Sequence, residues 1–356
     1  MEVKNRNPKN GLQKKILIAC CSVLVAIVLS FAGYGGYKLA TDFNKINPKD
    51  KEKTPSTATT TTVITTTESV PQFWWETNSF EELSTDPELN GQDDLHNGEL
   101  LLVNSSWAYC GNSEDISIVY DFRDGAPYSV KDRDVKLRLS VIYKLNDMMT
   151  DFNKATNQRK VFIESAYRTK EHQQQLYEKG DPNLVAKPGF SEHETGYAFD
   201  LAVLDNDIRL DFTGEGDYAW IPQNAHKYGF ILRYARDKVG LTGIASEPWH
   251  YRYVGVTHAT YMYENNLCLE EYIELIKTYK YDKEHLYIKA DGKTFEVYYV
   301  PADPRAMVTQ APIYEGVSYT YSGNNTDGYI FTVDRGEGFT PPDFSNKIEE
   351  TVTVSR

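Results

Sequence analysis

The chain alternates between stretches with helical and stretches with strand-like spacing of hydrophobic residues. Spacings of three and four residues predict a helix over about 135–152. Its apolar face consists of Leu139, Ile142, Leu145, Met149 and Phe152. Another helix is predicted to begin near Thr169, which suits an N-cap position. A third is predicted from about Pro222 to Tyr228, where Gly229 ends it.

Two segments alternate in the period of a strand and carry polar side chains on one face. From Tyr197 to Val203 the large apolar residues share one face, whereas Asp200 stands between two alanines on the other. Glu247 precedes a proline and is biased toward an extended conformation, and a second alternation follows it through His250. A buried carboxylate without a partner is costly, so a cation beside Asp200 is the simplest explanation.

The first apolar run differs from those of a globular core. An uncharged run beginning at Ile16 follows a basic stretch, which predicts a transmembrane anchor over 16–38 and a cytoplasmic tail over 1–15. The expected location is the cell membrane, crossed once, with the rest of the chain outside. A cleaved signal peptide is the alternative, although residues 33–38 form a poor cleavage site. Cys20 is rejected as a lipidation site because no apolar core precedes it.

Composition divides the remaining chain into four parts. Residues 39–72 are rich in threonine and predict a disordered linker. Residues 73–134 are interpreted as a lead-in that packs on a folded body over 135–280. Strand-like runs separated by turn signals predict a β-rich C-terminal extension over 281–356. The last helix of this body is predicted to have one apolar face. That face consists of Leu269, Tyr272, Ile273 and Ile276.

Composition and charge narrow the class of protein. The 356 residues are 40% hydrophobic, enough to bury a sizeable core, and the chain carries a formal net charge of −13. This charge argues against nucleic acid as a partner, because phosphate backbones are bound by clustered Lys and Arg. Cys110 and Cys268, outside the predicted anchor, could form a disulfide or remain two free thiols. No feature of the sequence specifies an oligomeric state.

Polar residues from separate segments form a candidate metal site. His193 lies seven residues before Asp200, across Gly196, which allows a turn that brings the two side chains together. His250 and Glu247 can project into one cleft from the second strand. Two histidines and an aspartate suit tetrahedral zinc with an open position for water, and a nearby glutamate could move the proton. Taken alone, a histidine is more often structural or at the surface than a ligand, and Asp200 could be a turn or capping residue.

Three motifs resemble those of VanY-type D-alanyl-D-alanine carboxypeptidases, in the lysostaphin and D-Ala-D-Ala metallopeptidase superfamily. They are Ser165-Ala166-Tyr167-Arg168-Thr169, Ser191-x-His193-x-x-Gly196-x-Ala198-x-Asp200 and Glu247-Pro248-Trp249-His250-Tyr251-Arg252-Tyr253-Val254-Gly255. The resemblance covers roughly residues 136–265 and fills every motif position. It implies an α+β fold: a compact metallopeptidase domain with a small antiparallel sheet and flanking helices, to which the extension and the anchor are added.

The resemblance also implies a role for each motif residue. One zinc ion would be bound by His193, Asp200 and His250, with Glu247 as general base and acid. Arg168 would stabilise the oxyanion or hold the substrate carboxylate, as a fixed guanidinium can. Gln173 and Ser191 would line the peptide site. Without the resemblance, Arg168 and Gln173 would be interpreted as surface residues.

Several neighbouring residues carry weaker signals. Glu192 and Glu194 flank His193, where a solvated loop and a role in orienting the ligand are both open. Trp249 is interpreted as a packing wall. The remaining histidines on predicted helices are interpreted as structural because they lack acidic partners at ligand spacing; they are His172, His226 and His258.

The expected function is zinc-dependent release of D-alanine from peptidoglycan stem peptides, which are the expected partners outside the membrane. L,D-carboxypeptidase action on tetrapeptide stems is a close alternative, and cross-link endopeptidase action a more distant one. A catalytically silent wall-binding module is the alternative from another class. The intact Glu247 argues against that module, because retained metal ligands do not themselves need a general base.

Overall fold

A computed structural model describes residues 80–82, 91–180, 185–314 and 316–342, in which helices alternate with mostly antiparallel strands. The predicted tail, anchor and linker over 1–72 lie outside these residues. Among the described residues, no helix combines the length and apolar character that a membrane crossing requires. The helices are α1 Gly91–Leu95, α2 Val119–Phe122, α3 Leu139–Thr156, α4 Lys170–Lys179, α5 Trp220–Asn224, α6 Val239–Thr242, α7 Val256–Glu264 and α8 Leu269–Ile276.

The strands form two larger sheets and two short pairs. They are β1 Phe80–Glu82, β2 Ile116–Ile118, β3 Ser129–Val130, β4 Lys136–Arg138, β5 Val161–Ser165, β6 Ala198–Asp205, β7 Ile208–Asp211, β8 Phe230–Tyr234, β9 Glu247–Tyr253, β10 Leu286–Ala290, β11 Lys293–Pro301, β12 Gln310–Pro312, β13 Tyr319–Gly323 and β14 Gly328–Asp334. The central sheet has the order β3-β5-β6-β9-β8, with β7 paired to β6. The C-terminal sheet has the order β10-β11-β14-β13, while β1 pairs with β12 and β2 with β4. The mixed α/β class expected from the resemblance is thus present.

The predicted long helix begins later than its hydrophobic pattern suggested. Lys136–Arg138 form strand β4, paired with β2, so α3 starts at Leu139 and continues to Thr156. Asn157 ends it in the left-handed conformation that commonly closes a helix. Four residues of the predicted apolar face are buried and Leu139 is half-buried. The buried residues are Ile142, Leu145, Met149 and Phe152, and they pack under one face of the central sheet with Phe199, Leu201 and Tyr251.

The other predicted helices are present with local differences. Thr169 caps α4, because its side chain accepts a hydrogen bond from the amide of His172. The segment predicted from Pro222 divides into α5 and a 3-10 segment, Ala225–Tyr228, and Gly229 ends it at φ 90°. α8 spans Leu269–Ile276 with its predicted apolar face buried.

The C-terminal sheet contributes to two hydrophobic clusters, one of which it shares with the rest of the chain. Ile288 and Val297 from this sheet are buried in one hydrophobic cluster with residues of α7, α8, β8 and the segment around Leu100. A separate cluster on the sheet contains Tyr298, Phe331 and Val333. Residues predicted as a lead-in and as an extension therefore share apolar contacts with the body between them.

Candidate metal centre

The three predicted metal ligands come from adjacent positions of the central sheet and from the turn that feeds it. Asp200 on β6 and His250 on β9 are directly paired neighbours in the antiparallel register. His193 lies in a 3-10 segment, Glu192–Thr195, which ends at Gly196 with φ 75°. The backbone angle favours glycine there, and a Cβ on Gly196 would meet Ile116 Cδ1 at 2.4 Å, so the end of the Ile116 side chain would have to move.

The ligand atoms lie close enough to share one ion. His193 Nε2 is 3.2 Å from Asp200 Oδ2, and His250 Nδ1 is 3.0 Å from Asp200 Oδ1. One donor atom from each residue lies within 4.8 Å of the others. Donors at zinc–ligand distances of about 2.0–2.2 Å in a tetrahedron are separated by roughly 3.3 Å, so the spacing fits such an ion.

The second nitrogen of each histidine is held by an acceptor behind the centre. His193 Nδ1 lies 2.8 Å from the carbonyl oxygen of Ala166, and His250 Nε2 lies 3.3 Å from Glu192 Oε2. Each of these nitrogens therefore carries an N–H, and the other nitrogen of each ring faces Asp200, where it would offer its lone pair to a bound ion in place of its proton. This is the orientation that metal-binding histidines adopt.

The charges at the centre favour a cation. Burial raises the pKa of Asp200, but the charge of His193 and hydrogen bonds from both histidines outweigh it and hold that pKa below its usual range. Burial lowers the pKa of His250, but its bonds to Asp200 and Glu192 prevail and raise that pKa to about 9. Burial and the nearby Arg168 guanidinium lower the pKa of His193. Two carboxylates thus stabilise positive charge at the point where the imidazoles converge.

Glu247 and Arg168 lie beside the predicted ligands. Glu247 Oε2 is 3.8 Å from His250 Nδ1, and its side chain is 27% exposed, so it can reach solvent and the centre. Arg168 Nη2 is 3.6 Å from Asp200 Oδ2. The Arg168 guanidinium donates to Ser165 Oγ at 2.8 Å and to Gln173 Oε1 at 3.1 Å, so its direction is fixed by two neighbours.

Gln173 and Ser191, predicted to line the peptide site, occupy buried positions around these groups. Gln173 is fully buried, donates to the carbonyl oxygen of Ala186 at 2.7 Å and accepts from Arg168. Its alternative interpretation as a surface amide is therefore wrong. Ser191 is buried immediately before the 3-10 segment, and its carbonyl oxygen accepts from the amide of Glu194.

A cleft of about 550 Å³ opens next to Asp200 and Arg168. Trp249 lines this cleft and also packs against the main hydrophobic core, so it forms a wall as expected. His172 lies exposed on α4 at the cleft edge. The outer part of the cleft contains Arg209 paired with Glu164. The cleft thus gives a ligand access to Asp200 and Arg168 at the edge of the centre.

The two glutamates that flank His193 are both buried, so the solvated-loop interpretation is wrong for each. Glu192 Oε1 accepts hydrogen bonds from Arg233 Nε at 2.8 Å and Arg252 Nη1 at 2.9 Å, while its other oxygen faces His250. Glu194 Oε1 accepts instead from the amide of Gly189 at 2.7 Å. Arg233 was missed by the sequence analysis. A lone charge in the apolar run of β8 was the available signal, since it requires a buried counter-charge.

Other polar residues settle the remaining expectations. Cys110 is exposed and Cys268 buried, and both are free thiols. His258 is buried and bonded to Tyr272, and His226 stacks on Tyr263 with ring centroids 3.8 Å apart. These contacts agree with structural roles for both histidines.

Comparisons with known proteins agree with the motifs. Residues 134–256 match the family described as VanY, D-alanyl-D-alanine carboxypeptidase. The chain is 32% identical over 254 residues to a D-alanyl-D-alanine carboxypeptidase of Enterococcus faecium, with 70% of this chain and 79% of that protein covered. It is 33% identical over 186 residues to the bifunctional D-Ala-D-Ala dipeptidase and D-Ala-D-Ala carboxypeptidase VanXYC of Enterococcus gallinarum, with 49% of this chain and 92% of that protein covered.

A solved structure extends the comparison to the fold. The vancomycin resistance D,D-dipeptidase VanXYg, in complex with a D-Ala-D-Ala phosphinate analog, superposes with a TM-score of 0.62 at 32% identity. The alignment covers 72% of this chain and 99% of that one. The structural likeness therefore extends beyond the segment matched by the family.

Proposed function

Because the chain belongs to the VanY-type D-alanyl-D-alanine carboxypeptidase family, we propose that it hydrolyses the C-terminal peptide bond of peptidoglycan stem peptides and releases D-alanine. The observation that carries this proposal is the convergence of His193, Asp200 and His250, with Glu247 and Arg168 beside them. The D-Ala-D-Ala specificity named for the relatives supports a cell-wall substrate for this chain.

The cofactor we propose is one zinc ion held by His193, Asp200 and His250. Two imidazole nitrogens and one carboxylate oxygen at the observed spacing suit zinc and leave a fourth position for water. Such an ion lowers the pKa of a water to about 7 and polarises a carbonyl group.

Glu247 is proposed to carry the proton. The attacking water adds to the carbonyl carbon of the terminal peptide bond, and Glu247 accepts its proton. As the carbon–nitrogen bond breaks, Glu247 returns that proton to the amine of the departing D-alanine. Burial raises the pKa of Glu247, His250 opposes the rise and Asp200 adds to it. The net rise brings the carboxyl group closer to working pH, which suits a group that must both accept and release a proton.

Arg168 is proposed to bind the substrate. A guanidinium fixed by Ser165 and Gln173 can pair with the terminal carboxylate or with the oxyanion that develops on the scissile carbonyl. The adjoining cleft offers room for the rest of the stem peptide.

We also propose that the protein works at the outer face of the cell membrane. The basic tail over 1–15 and the apolar run over 16–38 support a single-pass anchor, and the Thr-rich linker over 39–72 would let the enzyme reach the wall.

The proposal is tested by incubating the purified protein with a stem pentapeptide ending in D-Ala-D-Ala. We expect D-alanine release that a chelator abolishes and added Zn²⁺ restores. Glu247→Gln should lower kcat by about 10²–10⁴-fold while zinc content stays unchanged. No D-alanine release with zinc present from either the pentapeptide or shorter stems, or a fully active Glu247→Gln variant, would overturn the enzyme assignment and favour a silent wall-binding module.

A second candidate activity is cleavage of the free dipeptide. It is favoured by the likeness to VanXYC, whose name includes a D-Ala-D-Ala dipeptidase, and by the TM-score of 0.62 with a D,D-dipeptidase. Parallel assays with D-Ala-D-Ala, the pentapeptide and a tetrapeptide stem separate dipeptidase, D,D-carboxypeptidase and L,D-carboxypeptidase action. Release of D-alanine from the tetrapeptide alone would replace the proposed specificity with the L,D type.

A further inference from the structure

We propose that Glu192 is a positioning residue that fixes the tautomer of His250, and that Arg233 and Arg252 lock the Glu192 carboxylate in place for this purpose. The inference rests on the proposed metal site. It adds a residue that touches neither the ion nor the substrate but determines which nitrogen of His250 is available to the metal.

The two oxygens of Glu192 have separate tasks. Oε2 faces His250 Nε2 at 3.3 Å, whereas Oε1 receives Arg233 Nε at 2.8 Å and Arg252 Nη1 at 2.9 Å. Glu192 is 2% exposed, and both arginine side chains are fully buried. Buried charges are stable only when each has a partner, and here the Glu192 carboxylate is paired with the guanidinium groups of Arg233 and Arg252.

The two arginines are themselves fixed by other elements. Arg252 Nη2 donates to the carbonyl oxygens of Glu99 and Leu101 at 2.9 and 3.0 Å. Arg233 forms a fork with both oxygens of Glu270, at 2.8 and 2.6 Å. Neither guanidinium can turn away without leaving buried donors unpaired, so the carboxylate between them has one available orientation.

This arrangement specifies the tautomer of His250. A carboxylate paired with two guanidinium groups only accepts hydrogen bonds, so the nitrogen that faces it must carry the proton. Nε2 therefore keeps its N–H, and Nδ1, 3.0 Å from the proposed ligand Asp200, is the nitrogen that would give up its proton when a metal binds.

A glutamine at this position would reverse the arrangement with almost no change in shape. The two arginine donors would take the amide oxygen, which leaves the NH₂ group facing His250. Nε2 would then have to accept a hydrogen bond, so Nδ1 would carry the proton and point it at the metal position. Loss of such a partner lowers metal affinity by about 10–100-fold.

The other flanking glutamate supplies a matched control. Glu194 belongs to the same 3-10 segment and is 4% exposed, but its carboxylate accepts from the backbone amide of Gly189. The oxygen of a glutamine can accept the same bond. Glu194→Gln therefore makes the same chemical change on the other side of His193 without touching a histidine ligand.

The test measures Zn²⁺ dissociation constants of the full chain by chelator competition, together with the visible spectrum of the Co²⁺-loaded protein. We expect Glu192→Gln to raise the dissociation constant about 10–100-fold and to change the Co²⁺ spectrum, while Glu194→Gln stays within about threefold of the original protein. Glu192→Asp, which keeps an acceptor but shortens the side chain, should bind zinc more tightly than Glu192→Gln. A packing role would give the opposite order of these two variants.

Three results would overturn the inference. They are an unchanged zinc affinity in Glu192→Gln, equal losses in Glu192→Gln and Glu194→Gln, and tighter binding by Glu192→Gln than by Glu192→Asp. If the Glu192 variants do not fold, ¹⁵N NMR of the zinc-loaded original protein decides the point, because a protonated Nδ1 on His250 contradicts the proposal. An original protein that binds no zinc would instead overturn the proposed function on which the inference depends.

Discussion

At the scale of single residues, the direction of Arg168 is determined by neighbours rather than by its own backbone. Ser165 is three residues before it and Gln173 five residues after it, at the end of β5 and in the first turns of α4. Ser165 and Gln173 are near Arg168 in sequence, whereas the buried Gln173 also donates to the carbonyl of Ala186, 13 residues away, which no local pattern predicts. The guanidinium held in this way lines the cleft beside Asp200.

We expect Arg168→Lys to lower kcat/KM for the pentapeptide about tenfold to hundredfold. A lysine cannot reproduce the fixed fork, and a charge-assisted hydrogen bond contributes roughly 1.5–3 kcal/mol. Comparison with a C-terminally amidated peptide identifies the bound group. If Arg168 holds the terminal carboxylate, only the free acid loses rate, whereas an oxyanion role lowers both rates equally.

Arg209→Lys is the matched control for this prediction. Arg209 lines the same cleft but is paired with Glu164 at its outer part. Its exchange should change kcat/KM by less than about threefold, as expected for a half-exposed ion pair. An Arg168→Lys variant that behaves like this control would exclude a direct role for Arg168.

At the scale of elements, the turn at Gly196 joins the segment of His193 to the strand of Asp200. We expect Gly196→Ala to destabilise the fold more than Gly243→Ala, measured as the free energy of unfolding in urea. Gly196 and Gly243 have similar φ angles, 75° and 71°. A Cβ added at Gly196 would contact Ile116, whereas a Cβ added at Gly243 would have no atom within 4 Å. The strained backbone costs about 1–2 kcal/mol in each, and displacing the end of the Ile116 side chain adds about 1 kcal/mol at Gly196, the lower end for overpacking.

The turn at Gly196 should also affect the proposed metal site. Gly196→Ala should weaken zinc binding, because a displaced turn moves His193 relative to Asp200, whereas Gly243→Ala should leave zinc binding unchanged. Equal effects of the two substitutions on unfolding would mean that Ile116 yields to the new methyl group without cost.

Elements defined by local patterns could be predicted, and those defined by distant partners could not. The cap at Thr169, the apolar face of α8 and the alternation along β6 depend on residues near one another in sequence, and all are present. The pairing of β1 with β12 joins segments more than 200 residues apart, and no periodicity specifies it. The same limit explains Glu192, whose partners Arg233 and Arg252 lie on other strands.

At the scale of the whole molecule, His258 connects the helical layer to the C-terminal sheet. Its Nδ1 lies 2.6 Å from the hydroxyl of Tyr272 on α8, and its Nε2 lies 3.0 Å from Thr332 Oγ1 on β14. Burial lowers the pKa of His258 to about 3. A protonated imidazole would therefore be unfavourable where these elements meet.

We expect stability to fall on acidification between pH 6.5 and 3 in part because of His258. In this window the unfolded chain, with a histidine pKa near 6.5, binds a proton that the folded protein does not, so unfolding becomes more favourable as pH decreases. The contribution reaches about 2 kcal/mol by pH 5. Urea unfolding at pH 7 and pH 5 should show a smaller pH effect in His258→Gln than in the original protein.

His172→Gln serves as the control for the pH measurement, because His172 is exposed on α4. Its pH effect should equal that of the original protein. If His258→Gln also kept the full effect, other groups would account for acid destabilisation.

The hydrophobic cluster shared by both sheets limits how far the chain can be truncated. A fragment cut at residue 134 would lose the carbonyl oxygens of Glu99 and Leu101 that hold Arg252. One that stops at residue 256 would expose Ile231 and Val254, now covered by helices and strands that follow. Because β1 also pairs with β12, the smallest fragment with an intact interior should run from about residue 80 to residue 342, well beyond the stretch that carries the motifs.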